Sequence, residues 1–202
     1  MARSRVEWAS DDPYARRREL YARAAPVFRR NGYWDTTLKD LSGACGLSIP
    51  ALYRYFPSKR AFAFFPLASL YPELQAPPPN VSDTDPVTLL SGWIDAAVTE
   101  LPNYTLALRL AHEAGLTEDE ERTVETNLAA HIAVLSAIAQ RAAPHLDGRS
   151  ADELASTMIS VAVGPAAMGL VADPVALRRQ LRALLRGYGL VVGRTAPAGA
   201  RR

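Results

Sequence analysis

The segment from Thr37 to Lys59 constrains the fold of this chain more than any other part of its sequence. It reads Thr-Leu-Lys-Asp-Leu-Ser-Gly-Ala-Cys-Gly-Leu-Ser-Ile-Pro-Ala-Leu-Tyr-Arg-Tyr-Phe-Pro-Ser-Lys. Thr37 is a favourable N-cap, and Asp40, three residues later, has the spacing of a capping box. Gly46 can adopt the positive φ angle that a sharp turn between two helices requires. The segment therefore predicts two short helices joined by a glycine turn.

The second helix of this pair is predicted over residues 48–56. Ser48 is its N-cap, and a proline follows in the first turn, where the missing N–H breaks no hydrogen bond. Leu52 and Phe56 are four residues apart and face the core. The outer face then carries Pro50, Ala51, Arg54 and Tyr55. This is the pattern of a helix-turn-helix whose second helix enters the major groove of DNA.

Charge is distributed unevenly along the chain, in a way that agrees with DNA binding. The net charge of the 202 residues is only +2, but residues 1–60 hold 12 Lys and Arg against 6 Asp and Glu. The remainder is mildly acidic. A basic N-terminal part suits a protein that presents one end to phosphate groups.

Several function classes lack any signal in this sequence. There is no glycine-rich phosphate loop, no Gly-x-Ser-x-Gly and no His-Glu-x-x-His, so we expect no enzyme. The histidines lack metal-ligand spacing, and Cys45 lies on the apolar stripe of its helix, where we expect a buried thiol. We therefore expect neither a metal nor a cofactor. A single cysteine and the absence of a long apolar run or a signal peptide predict a soluble cytoplasmic protein.

Helices are also predicted on both sides of this pair. The first begins at Asp12-Pro13 and ends at Asn31-Gly32, with Pro26 bending its last turn. The fourth begins at Ser58 and is interrupted at Pro66, and the sequence leaves open whether this proline is a hinge or simply ends the helix.

The C-terminal part is a series of amphipathic helices separated by proline, glycine and capping residues. Pro102 ends one of them, Ser150 opens another through a capping box, and Asp173 precedes the last. The predicted ranges are 85–100, 103–114, 117–143, 150–172 and 174–192. No segment alternates with period two over a useful length, so the predicted fold class is all-α.

The segment from Thr37 to Lys59, with the preceding helix that ends at Tyr33, resembles the signature of TetR-type (tetracycline-repressor-like) regulators. The resemblance implies an all-α homodimer with an N-terminal DNA-binding domain and a C-terminal domain that typically senses a small molecule. It implies that Tyr53, Tyr55 and Lys59 contact the DNA backbone or neighbouring bases, and that Thr37 and Lys39 hold phosphates. The expected domains are a helix-turn-helix domain over 1–60, a ligand-sensing and dimerisation domain over 61–195, and a disordered tail over 196–202.

The predicted recognition helix departs from the family pattern at two positions. The family often has glycine where Pro50 stands and a polar residue where Ile49 stands. Pro50 and Ala51 have no side-chain donors, so they can contact only apolar groups such as a thymine methyl. Arg54 could bind either guanine or a phosphate. The operator sequence is therefore not predictable.

Candidate ligand and dimer residues come from the C-terminal helices. A pocket for a largely apolar ligand is predicted around Trp93, Tyr104, His112, His131 and Met158. Plain core packing explains the same residues, and the choice stays open. Small residues and an apolar leucine face predict the dimer surface, formed by Gly164, Ala167, Leu177, Leu181 and Leu184. Two-fold pairing would place two recognition helices on a near-palindromic operator.

These patterns together indicate a TetR-like transcriptional regulator. We expect a repressor that binds double-stranded DNA as a homodimer and that a small-molecule effector releases. One alternative is a DNA-binding dimer whose C-terminal domain only dimerises or binds a partner protein. A helical enzyme is the more distant alternative.

Overall fold

The structure is a computed structural model, and it describes residues 12–69, 85–167 and 173–190. Within these ranges all regular secondary structure is helical, as the sequence predicted. In chain order the helices are α1 (Pro13–Asn31), α2 (Leu38–Cys45), α3 (Ile49–Tyr53), α4 (Lys59–Ala63), α5 (Phe65–Ala68), α6 (Pro86–Ala114), α7 (Glu118–Ala142), α8 (Gly148–Ala167) and α9 (Pro174–Gly187). The predicted tail over 196–202 lies outside the described residues.

The chain packs as two compact units. The first unit consists of residues 1–68 and 103–121, and the second of residues 69–102 and 122–202. Residues 103–121 thus pack with the N-terminal helices despite their distance in sequence. The units describe packing, and the functional division into domains after residue 60 stays a prediction.

Helix α1 begins and ends where the sequence predicted. The Asp12 carboxylate accepts the N–H groups of Tyr14 and Ala15 at 3.1 and 3.0 Å, which caps the first turn. At the other end Gly32 adopts φ 71° and donates its N–H to the Phe28 carbonyl at 2.9 Å. Helix α1 continues for five residues beyond Pro26, whose ring lies on the exposed face.

A cluster of buried aromatic rings holds the N-terminal helices together. Phe62 of α4 stacks on Phe56 with ring centroids 4.1 Å apart and meets Phe28 of α1 edge-on at 6.0 Å. Phe65 of α5 also meets Phe56, at 5.5 Å. Burying a phenylalanine contributes about 1.5–3 kcal/mol, so this cluster anchors the segment after α3 to α1 and α4.

The helix that follows Ser58 is interrupted before Pro66, as predicted. Helix α4 ends at Ala63, Phe64 leaves the helical conformation with φ −98° and ψ 6°, and α5 begins at Phe65. Pro66 lies in the first turn of α5, where its missing N–H costs little. Its possible role as a hinge stays a prediction.

The predicted helix end before Pro102 is wrong. Helix α6 runs without a break from Pro86 to Ala114, with Pro102 inside it. Pro102 is exposed, whereas Leu101, Tyr104 and Leu106 on either side of it are buried. Because these side chains gain burial only if the helix continues, packing outweighs the cost of about 3 kcal/mol that proline imposes inside a helix.

The bounds of α8 and α9 also differ from the prediction. Helix α8 is capped by Asp147 rather than Ser150, because the Asp147 carboxylate accepts the Ser150 N–H at 2.7 Å. Helix α9 begins after Asp173 as predicted but ends at Gly187, not at residue 192. Gly189 has φ 77°, and the N–H of Leu190 bonds the Leu185 carbonyl at 2.9 Å, which closes the helix. The predicted end of α8 at residue 172 lies outside the described residues.

Candidate nucleic-acid interface

The start of α2 is fixed by a capping box between Thr37 and Asp40. The Thr37 N–H donates to the Asp40 carboxylate at 3.0 Å, and the Asp40 N–H donates to the Thr37 hydroxyl oxygen at 3.2 Å. The Thr37 hydroxyl also donates to that carboxylate at 2.6 Å. These bonds lower the pKa of Asp40. A phosphate can only accept hydrogen bonds, so it would have to compete with Asp40 for the Thr37 hydroxyl proton.

The turn between α2 and α3 has the predicted glycine geometry. Gly46 adopts the left-handed conformation with φ 67°, and the Leu47 N–H returns to the Ser42 carbonyl at 3.1 Å. The Ser42 hydroxyl donates to the Leu47 carbonyl and tightens the turn further. Ser48 then caps α3, because its side-chain oxygen accepts the Ala51 N–H at 3.3 Å. This turn sets the direction in which α3 leaves α2.

Helix α3 has a buried side and an exposed side, as the sequence predicted. Leu52 and Phe56 are buried at 2% and 3% exposure, whereas Tyr53 is 44% exposed. Pro50 and Arg54 are also exposed, and Ala51 and Tyr55 are half-buried. The helix itself is shorter than predicted and ends at Tyr53, although the Phe56 N–H still bonds the Leu52 carbonyl at 3.1 Å.

Ile49 is a surface residue that the sequence analysis did not assign to the site. It is 36% exposed although its side chain is large and apolar. It borders a surface depression at the turn, together with Ser42, Gly43, Gly46, Leu47, Ser48 and Pro50. The signal in the sequence was the apolar residue at a position where the family pattern is polar.

Two predicted DNA contacts have cationic side chains that are available to a ligand. Lys39 on α2 and Arg54 after α3 are both exposed. Within the described ranges, neither side chain forms a hydrogen bond or an ion pair. Both therefore keep all their N–H donors for phosphates or base edges.

Lys59 is in a different situation, because its ammonium is already bound within the protein, and its contact with DNA stays a prediction. Its ammonium donates to the carbonyls of Tyr33 and Thr36 at 2.8 and 3.0 Å, and more weakly to that of Trp34 at 3.4 Å. It also lies 4.4 Å from the centre of the Tyr33 ring. Burial lowers the pKa of Lys59, and the Asp35 carboxylate opposes this shift. All three N–H donors thus hold the α1–α2 loop, residues 32–37.

Glu113 near the end of α6 holds the same loop at other backbone groups. Its carboxylate accepts the Tyr33 N–H at 2.7 Å, and its carbonyl accepts the Trp34 indole N–H at 3.1 Å. A Cβ atom on Gly32 would lie 2.8 Å from this carboxylate, so a larger residue would displace the Glu113 side chain in addition to straining the backbone at φ 71°. The sequence analysis missed Glu113, because the contact joins residues 80 apart.

Two arginine contacts complete the attachment of residues 103–121 to the N-terminal helices. Arg60 donates twice to the Glu120 carboxylate, once at 2.9 Å, and once to the Gly115 carbonyl at 2.8 Å. Its hydrogen bond lowers the pKa of Glu120. Arg109 donates to the Phe28 carbonyl at 3.2 Å near the end of α1. Neither contact was predicted from sequence.

Cys45 lies where the apolar stripe of α2 placed it. It is fully buried, and its thiol donates to the Leu20 carbonyl at 3.5 Å. Burial raises the pKa of Cys45 to about 12, so the thiol is unreactive near neutral pH. No group of three potential metal-ligating side chains occurs in the described part of the chain. No helix in that part is both long enough and apolar enough to span a bilayer.

The predicted pocket residues are divided between the two units. Trp93, His131 and Met158 are buried in the second unit. Tyr104 and His112 belong to the first, where burial raises the pKa of Tyr104 and His112 is exposed. The His131 ring nitrogen Nδ1 lies 2.7 Å from the Asn127 carbonyl, to which it donates. A ligand pocket stays a prediction.

The predicted dimer residues lie on α8 and α9, which pack against each other. Leu177 and Leu181 are buried inside the protomer at 2% and 0% exposure, and Leu184 is half-buried. Gly164 has open space where a Cβ would be, and Ala167 is the last residue of α8. Pairing with a second copy through these helices stays a prediction.

Comparison with known proteins finds a family model that matches the helix-turn-helix segment. Residues 20–64 match the family described as "Bacterial regulatory proteins, tetR family". A comparison with curated protein sequences gives no match.

Solved structures of low sequence identity share the fold over most of the chain. The TetR family regulator PfmR from Thermus thermophilus matches with a TM-score of 0.57 and 21% identity, covering 83% of this chain and 97% of its own. FadR from Bacillus subtilis, solved with stearoyl-CoA, matches with a TM-score of 0.56 and 14% identity, covering 89% and 99%. AibR, solved with isovaleryl coenzyme A and operator DNA, matches with a TM-score of 0.51 and 14% identity, covering 88% and 98%. Residues 20–64 thus match the tetR family of bacterial regulatory proteins, and the helical fold of the described residues is shared with solved structures of TetR family regulators.

Proposed function

We propose that this protein is a repressor that binds a near-palindromic operator as a homodimer and leaves it when a small ligand occupies the C-terminal domain. The observation that carries the DNA-binding part is the exposed side of α3. Tyr53 and Arg54 lie there, and Lys39 is exposed on the preceding helix. Cations without a partner in the described ranges suit phosphates, and a helix of this size fits the major groove.

Within this proposal the exposed residues of α2 and α3 have different roles. Lys39 contacts a phosphate, because its ammonium has no partner among the described residues. Arg54 contacts a base edge or a phosphate, and Tyr53 contacts the backbone beside it. Thr37, Ser48 and Lys59 act mainly by shaping the helix-turn-helix, since their side chains are engaged in caps and loop contacts.

The proposed homodimer follows from the geometry of DNA rather than from a contact in this chain. One α3 covers only part of a useful binding site, whereas two copies related by a two-fold axis read half-sites about 34–36 Å apart. Helices α8 and α9 are the proposed pairing surface. Gly164 leaves open space there for the close approach of a second helix.

The proposed effector is a small and largely apolar molecule. Two structural neighbours were solved with acyl-CoA thioesters, isovaleryl coenzyme A in AibR and stearoyl-CoA in FadR. The buried interior of the second unit includes Trp93, Ile94 and Met158. Such an apolar interior suits the acyl chain of these thioesters rather than their charged coenzyme A part. Isovaleryl-CoA and stearoyl-CoA are therefore the first probes to try.

Selection of bound duplexes from a random double-stranded DNA pool at low ionic strength tests the proposal. We expect a near-palindromic consensus, and sedimentation should show two protomers on each duplex. The alternative in which the C-terminal domain only dimerises predicts the same DNA complex but no release by either acyl-CoA probe. Failure to retain any duplex would overturn the regulator function.

An arginine pair provides the matched control for this experiment. Arg54→Ala should weaken binding of the selected duplex about five- to a hundredfold for each half-site, as expected for loss of one bidentate contact in each protomer. Arg141→Ala removes the same charge from an exposed position on α7, which belongs to neither the proposed DNA surface nor the proposed pairing surface, and should leave the affinity unchanged. Equal losses in the two variants would show that Arg54 contributes only general charge.

A further inference from the structure

The first turn of α3 presents apolar side chains where many recognition helices present hydrogen-bonding ones. Ile49 is 36% exposed, Pro50 is exposed, and Ala51 is half-buried. Pro50 has neither a backbone N–H nor a polar side chain. The nearby Ser48 hydroxyl oxygen is engaged in capping α3 through the Ala51 N–H at 3.3 Å. This turn therefore offers a surface of methyl and methylene groups.

The chemistry of the major groove limits what such a surface can select. Adenine, guanine and cytosine present hydrogen-bonding groups there, and only thymine adds a methyl group at C5. An apolar side chain placed against a polar base edge removes water without providing a hydrogen bond, which is unfavourable. Placed against a thymine methyl, the same side chain buries apolar area on both partners.

Flanking charges indicate that the occupant of this surface is a DNA duplex rather than another protein. Lys39 and Arg54 are exposed, and neither side chain has a hydrogen-bonding or ion-pair partner among the described residues. A duplex combines thymine methyls in its groove with phosphates on both sides, which complements an apolar centre with cationic neighbours. The three apolar residues are also too few for a stable protein interface, which needs about 20–30 residues on each side.

We propose that Ile49 and Pro50 are specificity-determining residues that select thymine methyl groups in each half-site of the operator. This inference rests on the proposed DNA-binding function and deepens it. It assigns thymine as the base that Ile49 contacts, at the helix position where the family often has a polar side chain. Each half-site then contains at least one thymine whose methyl contacts the first turn of α3.

Replacing thymine by deoxyuridine tests this inference, because the exchange removes the C5 methyl and no hydrogen-bonding group. In the duplex obtained by selection, each thymine is replaced in turn, symmetrically in both half-sites, and the affinity is measured by fluorescence anisotropy. We expect at least one thymine position at which the loss is about fourfold for each methyl, or about fifteenfold for both half-sites. Thymines outside the contacted bases serve as internal controls and should show no loss.

A variant assigns the effect to the protein side chain. Ile49→Ala should bind the thymine and deoxyuridine duplexes equally at that position. Val124→Ala, which truncates a half-buried apolar side chain on α7, outside the proposed DNA and pairing surfaces, should keep the full difference. Circular dichroism checks that both variants are folded. The deoxyuridine scan itself uses the unchanged protein and does not depend on their folding.

The outcomes separate this inference from the proposed function. A duplex that is bound tightly, yet loses no affinity at any deoxyuridine position, would overturn the inference and leave the regulator function standing. A methyl effect that Ile49→Ala retains in full would overturn the assignment to Ile49. If selection returns no bound duplex, both proposals fail together.

Discussion

Two lysines that sequence resemblance placed on DNA should behave differently when their charges are removed. Lys39 is exposed and unpaired among the described residues, whereas the Lys59 ammonium is held by three backbone carbonyls of the α1–α2 loop. Lys39→Met and Lys59→Met remove the same charge and keep similar aliphatic volume. The pair therefore separates contact with phosphate from support of the loop.

The expected loss in the free energy of unfolding for Lys59→Met follows from the carbonyl groups that lose their hydrogen-bond donor. Tyr33 and Thr36 are 5% and 1% exposed, and their carbonyls receive the two short bonds of 2.8 and 3.0 Å. A hydrogen bond from a charged donor contributes about 1.5–3 kcal/mol, and the bond at 3.4 Å adds little. Burial disfavours the charged ammonium and lowers the pKa of Lys59, so removing the ammonium also removes this desolvation cost. We therefore expect a net loss of about 2 kcal/mol, or roughly 4–8 °C in Tm.

The two variants should also differ in the salt dependence of DNA binding. Each phosphate contact contributes about 0.9 to the slope of log K against log salt concentration. Lys39→Met should lower this slope by about 2 for a dimer with one contact per protomer, and leave Tm unchanged. Lys59→Met should lower Tm and leave the slope unchanged when measured below its Tm.

Calorimetry measures Tm. Anisotropy titrations between 50 and 200 mM salt measure the slope, because a complex with many phosphate contacts weakens strongly over this range. The reasoning is refuted if Lys59→Met reduces the slope as much as Lys39→Met while its Tm matches that of the unchanged protein. Such a result would mean that Lys59 releases the loop and contacts phosphate in the complex.

Three further predictions concern the packing that supports the helix-turn-helix. Glu120→Gln should lower Tm at pH 7. This difference should shrink as the pH falls below 4.5, the ordinary pKa of glutamate, and vanish below the lowered pKa of Glu120, because the native carboxylate then loses its charge too. A difference in Tm that persists undiminished at pH 3 would contradict this. Cys45 should react with a thiol reagent at pH 8 only when the protein unfolds, since burial raises its pKa to about 12, and rapid reaction of the native protein would show that it is accessible. Gly32→Ala should lower Tm more than Gly115→Ala, because both glycines have φ near 70° but only Gly32 has an atom within 3 Å of a new Cβ; equal losses would leave only backbone strain as the cause.

The parts of the fold that were predictable from sequence depend on interactions within a few residues. The Thr37–Asp40 capping box spans three residues, the positive φ of Gly46 is a property of one residue, and Ser48 caps the helix that follows it directly. Interactions over so few residues can be recognised from the sequence alone. They were sufficient to predict two helices, the turn between them and the exposed side of the second.

The errors occurred where packing at a distance decides the outcome. Pro102 was expected to end a helix on local grounds, but burial of Leu101, Tyr104 and Leu106 keeps α6 continuous. The contact between Glu113 and Tyr33 joins residues 80 apart, and no local pattern indicates it. A sequence shows which residues can cap or terminate a helix, but not which of those signals tertiary packing will override.

The same distinction explains why Lys59 and Lys39 need different assignments although both match family positions. A motif position shows that a lysine is expected, whereas its partners show what the ammonium does. For Lys59 to reach a phosphate, it would have to leave the buried carbonyls of Tyr33 and Thr36 for one solvent-exposed ion pair. Such a pair contributes about 0–1 kcal/mol, less than the bonds that would be lost. Since the α1–α2 loop leads directly into α2, we expect Lys59 to support DNA binding by holding the helix that carries Lys39.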